Sequence, residues 1–241
     1  MGMSAMHAAN VANACVLVPA FDAARTLGGV LAELRREIAR VPVIVIDDGS
    51  RDATASVARD AGAHVVHHPR NCGKGASLRA GLEEARRLGY EVALSVDADG
   101  QHPGASARAV LESTAEPGAL VLGVRDLVRA HAPAANVWSN GVSNYWISRL
   151  SGRGFADTQC GLRRYPIAAT LELGPRADGF AFEAEVLLRA VAARLPIVEL
   201  PIAVRYPPER TTHFHVVRDP ARIIFAVART SLELRFARRR P

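Results

Sequence analysis

The chain has 241 residues, 49% hydrophobic and 22% charged, with a formal net charge of +6. That length suits one large α/β domain, the composition excludes a disordered chain, and no apolar run approaches the ~18 residues of a membrane-spanning helix. The positive balance favours phosphates, nucleic acid or anionic lipid as partners, but neither a groove-reading motif nor basic residues interleaved with aromatics is present, which argues against nucleic acid.

Met1 to Ala14 is small and uncharged apart from His7. It lacks the basic start and apolar core of a secretion signal, so a disordered terminus is expected there. Cys15, Cys72 and Cys160 are odd in number and far apart, as suits reduced thiols in a cytoplasm rather than a disulfide framework or a zinc site. Cys15 to Pro19 predicts a first buried strand, and Leu27, Val30, Leu31, Leu34 and Ile38 then recur at helical spacing, with Asp22 or Thr26 as cap. Pro42 to Ile46 predicts a second strand, ending in Asp47-Asp48-Gly49-Ser50. A helix over 53–61, a short strand over 64–67 and a helix over 76–88 follow, the last opened by Asn71-Cys72-Gly73-Lys74-Gly75.

Val92 to Val96 is a nearly all-apolar run, the pattern of a strand buried on both faces, and it stops at Asp97-Ala98-Asp99-Gly100-Gln101-His102-Pro103. Side chains two apart on an extended backbone point the same way, so Asp97 and Asp99 converge. Two carboxylates at a strand's carboxyl end make an incomplete oxygen site suited to Mg²⁺ or Mn²⁺, completed by water and substrate phosphates. The same pair also fits as caps of the following turn and helix. Lys74 lies where exposed helix-start amides favour an anion, although a surface lysine in a glycine-rich turn fits the pattern equally, and the spacing of a phosphate-binding P-loop is absent.

Strand and helix alternate with short loops, which predicts a mainly parallel sheet with helices on both faces. Ligands sit outside the carboxyl ends of the strands in such sheets, and Pro19–Asp22, Asp47–Ser50 and Asp97–Gln101 all fall on that rim.

Val-Pro-Ala-Phe near the start, Ile-Asp-Asp-Gly-Ser, Asn-x-Gly-Lys-Gly, Asp-Ala-Asp-Gly-Gln-His-Pro, the Asp157–Gly161 turn, Gly179–Glu185 and the Tyr206–Phe214 stretch occur in an order that resembles the family 2 glycosyltransferases, closest to the dolichyl- or polyprenyl-phosphate sugar transferases. The likeness runs from about residue 15 to 225. It implies an α/β nucleotide-binding domain of the GT-A type over residues 15–218, a nucleotide-diphosphate sugar as donor, Mn²⁺ or Mg²⁺ as cofactor, and inversion at the sugar carbon. Asp97, Asp99 and Gln101 would then hold the metal, and Pro19, Ala20, Asp22, Asp48, Gly49, Lys74, Asp97 and Ala98 would meet the donor. The family's usual Asn-Glu after the first strand is Asp22-Ala23 here, which weakens any inference about the donor's base.

Leu120 to Gly123 predicts another strand, and the resemblance sets Arg125, just beyond it, near the diphosphate or the acceptor, although a plain surface arginine fits there too. Residues 127–136 are expected to be a mobile loop, followed by helices over 138–150 and 184–193, with Glu183 a weaker site candidate. With a lipid phosphate as acceptor no strong base is needed, and Arg205, Arg210, Thr212 and His213 would position it. With a hydroxyl acceptor Asp157 becomes the proton acceptor, though it can equally cap its own turn. Catalysis would rest on Asp99, Asp157 and Arg125. A non-catalytic module that binds nucleotide sugars is the alternative outside enzymes.

The last helix, residues 219–241, is basic and amphipathic, ending in Arg238-Arg239-Arg240. It suits either docking on the sheet or lying on an anionic membrane, which would set a cytoplasmic protein at the membrane's inner face. Relatives often add spanning helices, so the chain is expected to be the catalytic domain alone.

Overall fold

The computed structural model describes residues 13–206 and 218–237. The apolar runs become strands β1 (Ala14–Ala20), β2 (Val43–Asp47), β3 (His64–His67), β4 (Val92–Ser95) and β5 (Leu120–Arg125). Helices α1 (Ala24–Glu37), α2 (Thr54–Asp60), α3 (Lys74–Arg87) and α4 (Gly104–Leu111) alternate with them. The later part adds α5 (Ala134–Ser151), β6 (Arg163–Pro166), α6 (Ile167–Glu172), α7 (Ala181–Ala192), β7 (Ile197–Ile202) and α8 (Arg218–Ala237).

Among the described residues the seven strands form one sheet in the order β3-β2-β1-β4-β6-β5-β7. Only β6 runs antiparallel to its neighbours, β4 and β5, so the expected mainly parallel sheet is present. Successive side chains of a buried strand serve opposite faces. Leu17, Ile44 and Ile46 pack under α3, α7 and α8, while Val16, Val18 and Val45 pack under α1, α2 and α4.

Four elements differ from expectation for identifiable reasons. The residues of α4, α6 and β7 carry no long periodic signal. Strand β6 reads Arg-Arg-Tyr-Pro, yet all four residues are buried. Burying a cation needs partners. Arg163 donates to the carbonyls of Cys160, Thr158 and Glu183, and Arg164 donates to those of Leu111, Ser113, Ala115 and Glu116.

Neither Asp22 nor Thr26 caps α1 through its side chain. The cap comes from the start of α2 and the turn before it: Ala23 N–H donates to Thr54 Oγ1 and Ala24 N–H to Asp52 Oδ2. The loop after β5 ends at Pro133, and α5 begins at Ala134, four residues earlier than periodicity suggested. Helix α8 docks on the fold. Its Ile223 and Val227 are buried in the α3–α7 core, and Arg189 of α7 bridges Glu185 and Glu233 at 2.7 and 2.9 Å.

Candidate active site

The carboxyl ends of β1, β2, β4 and β5 and the start of α3 surround one cavity of about 1000 Å³. Pro19, Ala20, Asp48, Lys74, Asp97, Ala98, Asp99, Gln101 and Arg125 all line it, so residues far apart in the chain meet on one rim. Asp22 and Gly49, also expected to meet the donor, are not among the lining residues. Asp22 is left-handed, at φ 46, and its carboxylate accepts the Arg51 N–H at 2.8 Å. Gly49, at φ 74, turns the chain after Asp48.

Asp48 fastens the loop leading into α3. Its carboxylate accepts the N–H groups of Cys72 and Gly73 at 2.9 and 2.7 Å and lies 2.7 Å from His68 Nδ1. Asp48, His68 and Cys72 bring ligand-type atoms within 4.8 Å of one another. Those hydrogen bonds already occupy both Asp48 oxygens, so the cluster is accounted for as a hydrogen-bonded turn.

The start of α3 comes unusually close to the segment before α7. A Cβ on Gly73 would lie 2.5 Å from the Asp178 carbonyl oxygen, and one on Gly75 2.4 Å from that of Ala177. This approach delivers Lys74 Nζ to 2.6 Å from Asp97 Oδ1 and 2.9 Å from Glu183 Oε1, with the Phe180 ring 5.9 Å away. Burial alone would lower the Lys74 pKa, but the two carboxylates outweigh it and hold the ammonium above its ordinary range. Burial likewise works to raise Asp97, and Lys74 overcomes it, keeping that carboxylate ionised.

Asp97 is also pressed against backbone: a Cβ on Gly161 would fall 2.1 Å from Asp97 Oδ2. Asp99 Oδ1 accepts the Gln101 N–H at 2.9 Å, and Asp97, Asp99 and Gln101 all line the cavity. These three side chains offer an all-oxygen donor set on the cavity wall, and such a set fits Mg²⁺ or Mn²⁺. His102 packs behind them, its Nε2 3.8 Å from Asp97, and burial holds its pKa down to about 4, so the ring is neutral at pH 7.

Arg125 faces the cavity while Asp157 is fully enclosed behind it. Arg205 lies outside the cavity wall, its Nε donating to the Gly100 carbonyl and its N–H to the Gln101 carbonyl. It braces the metal-type turn from the outer side. Arg210, Thr212 and His213 lie outside the described residues.

The sequence profile of the family described as "Glycosyl transferase family 2" matches residues 15–150, more than half of the chain. The chain belongs to glycosyl transferase family 2. It is a glycosyltransferase with the GT-A fold. The glycosyltransferase AglJ of Haloferax volcanii is 30% identical over 210 residues, spanning 85% of this chain and 67% of that protein. The polyprenol monophosphomannose synthase of Mycolicibacterium smegmatis is 26% identical over 204 residues, 78% of this chain and 75% of that protein. Among solved structures, glucosyl-3-phosphoglycerate synthase of Mycobacterium tuberculosis, in complex with Mn²⁺, UDP and glucosyl-3-phosphoglycerate, superposes with a TM-score of 0.69 at 19% identity, covering 97% of this chain and 84% of that one.

Within this family 2 glycosyltransferase, sequence reasoning underrated Glu183 and missed Arg229, which lines the cavity from α8 together with Ile223 and Phe225. An acid in the first turn of α7 was the available signal for Glu183, and it reads equally well as a dipole partner. Arg229 had no signal, because its stripe of α8 is indistinguishable from a solvated helix face.

Proposed function

We propose that the protein moves a glycosyl unit from a nucleoside-diphosphate sugar, with Mg²⁺ or Mn²⁺ bound, to the phosphate of a polyprenyl-type lipid. The observation that carries this reading is the convergence of Asp97, Asp99, Gln101, Lys74 and Arg125 on one cavity. The names of two relatives support the acceptor class: the polyprenol monophosphomannose synthase above and the undecaprenyl-phosphate mannosyltransferase of Micrococcus luteus, 27% identical over 200 residues. Solved structures of similar fold in complex with UDP and Mn²⁺ or Mg²⁺ support the donor class.

Pro19, Ala20 and Asp48 form the wall against which the nucleoside rests, and Lys74 lies within reach of its diphosphate. Asp97, Asp99 and Gln101 would hold the metal. When bound, that dication offsets the charge that builds on the departing diphosphate. Arg125 orients the acceptor phosphate. One of that phosphate's ionised oxygens forms the new bond to the anomeric carbon from the side opposite the nucleoside diphosphate, while the carbon–oxygen bond to the nucleoside diphosphate breaks and that leaving group keeps the electron pair. No proton moves, which agrees with the enclosure of Asp157 behind Arg125. The protein works in the cytoplasm at a membrane's inner face, where Cys15, Cys72 and Cys160 stay reduced thiols.

A thermal-shift panel of nucleoside diphosphates with and without Mn²⁺ tests the donor half. A ligand at a hundredfold excess over its Kd adds about 2.7 kcal/mol of stability, and metal-dependent stabilisation by one base is expected. Transfer to undecaprenyl phosphate, compared with a hydroxyl acceptor such as undecaprenol, tests the acceptor half. Stabilisation by none of the nucleotides, or turnover on the hydroxyl alone, overturns the reading.

A further inference from the structure

Nine large apolar side chains are exposed among the described residues, and apart from Leu88 and Val198 all of them fall on three neighbouring segments. Val128 is in the turn before α5, and Trp138, Tyr145 and Trp146 are on α5. Phe225, Leu232 and Phe236 are on α8, which packs against α5. Monomeric proteins rarely concentrate exposed apolar surface without a use for it.

Helical spacing orders these residues. Trp138, Tyr145, Trp146 and Arg149 form one stripe of α5, while Ser139, Asn140, Ser143 and Ile147 are the buried side. On α8, Phe225, Arg229, Leu232 and Phe236 form the outer stripe, opposite buried Ile223, Val227 and Thr230. Both stripes begin at the cavity, since Pro133 and Asn136 at the start of α5, and Phe225 and Arg229 on α8, line its wall.

We infer that the outer stripes of α5 and α8 and the turn between β5 and α5 dock on the surface of an anionic phospholipid bilayer, with the cavity mouth at headgroup level. The proposal rests on the acceptor reading above for why a bilayer should be there, but the surface is argued separately. No helix among the described residues is long and apolar enough to cross a membrane, and the contact proposed for α5 and α8 is interfacial. Tryptophan and tyrosine, with apolar bodies and polar tips, are suited to the boundary of headgroup and acyl chain. Charge complementarity points the same way: Arg129, Arg149 and Arg229 are exposed on these segments, and Arg238-Arg239-Arg240 follows α8 directly in sequence. Against them stand Asp126, exposed in the same turn, and Glu233 of α8, which is shared between Arg189 at 2.9 Å and Arg229 at 3.6 Å. A docked amphipathic stripe with flanking arginines is the usual form of interfacial binding to anionic lipid.

The chain supplies its own probe, because it has two tryptophans, Trp138 and Trp146, and both lie on the α5 stripe. Adding vesicles of phosphatidylglycerol and phosphatidylcholine to the full chain, without donor, is expected to shift its tryptophan emission to the blue and to sediment the protein. Vesicles of phosphatidylcholine alone are expected to do so more weakly. The pair Tyr145→Glu and Phe236→Glu, neither of which lines the cavity, should lower partition at least about tenfold and leave the nucleotide-dependent thermal shift unchanged. An unshifted emission with no sedimentation overturns the proposal. So does a dimer, seen by analytical ultracentrifugation, that these substitutions dissociate while vesicles have no effect. A missing nucleotide shift with intact vesicle binding would instead count against the donor reading.

Discussion

The Asp157 carboxylate grips Arg125 through both oxygens, at 2.7 Å from Nε and 2.9 Å from Nη2, and also accepts the Arg125 and Gln159 N–H groups at 3.2 Å. Asp157 has no exposed surface, whereas Arg125 reaches the cavity. In the proposed reaction Asp157 is therefore a positioning residue for Arg125. Asp157→Asn should cost about 3 kcal/mol of stability, since it uncouples a buried pair, and lower turnover through a raised KM for the lipid phosphate. Nucleotide affinity should stay near that of the unmodified protein. Steady-state kinetics with each substrate varied, beside thermal melts, checks this. Complete loss of turnover on a phosphate acceptor in a folded, donor-binding variant would mean that Asp157 takes a proton after all.

Gly161 is where Asp97 meets backbone, and a methyl there would collide with its carboxylate at 2.1 Å. Gly161→Ala should push that oxygen out of the metal-type set. Misplacement by about 1 Å can cost about a hundredfold in rate. The expected signature is a raised Mn²⁺ requirement with modest loss of melting temperature, read from a metal titration of turnover.

Glu183 and Asp97 share one cation, Lys74. Glu183→Gln should leave Lys74 drawn onto Asp97 and less able to meet a diphosphate. Affinity for a nucleoside diphosphate should then fall about tenfold, the size of one charge-assisted hydrogen bond, with the monophosphate little affected. Isothermal titration with both ligands makes the comparison. Equal losses for the two would mean that the substitution merely loosens the fold, and Glu183→Asp should restore part of the difference.

The thiols divide sharply. Cys15 and Cys160 are buried, while Cys72 is exposed, and burial pushes the first two up to about 12 from an ordinary 9.0. An aromatic disulfide reagent at pH 8 should modify one thiol in the folded protein and three after denaturation. The linkage has a sign as well. Between pH 9 and about 12 the unfolded chain gives up these protons and the folded one keeps them, so stability falls as pH rises through that window. Urea midpoints at pH 8 and pH 10.5 measure the fall.

Much of the site was legible because its chemistry is local. Asp97 and Asp99 stand two apart at the end of an apolar run, and Pro19, Asp48 and Lys74 mark the ends or starts of neighbouring elements. Strand period and turn residues are encoded by amino acids close in sequence, so the parallel sheet and its carboxyl-end rim could be read from the chain alone. Arg205 was harder. Its charge suggested an acceptor anion, but its partners are the Gly100 carbonyl and Glu33, which no pattern around residue 205 announces.

Only the tertiary structure decided the rest. The chain's own periodicity determined an alternating α/β domain with a polar rim. It did not determine that β6 enters antiparallel between β4 and β5, nor that Arg163 and Arg164 are buried there among carbonyl oxygens. Nor did it determine that Asp157 faces Arg125, that Glu183 meets Lys74, or that α8 docks on α7 through Arg189. Each of these depends on which surfaces meet once distant segments have folded. The free energy of a buried charge is set by those partners and by the loss of water around it, not by its neighbours along the chain.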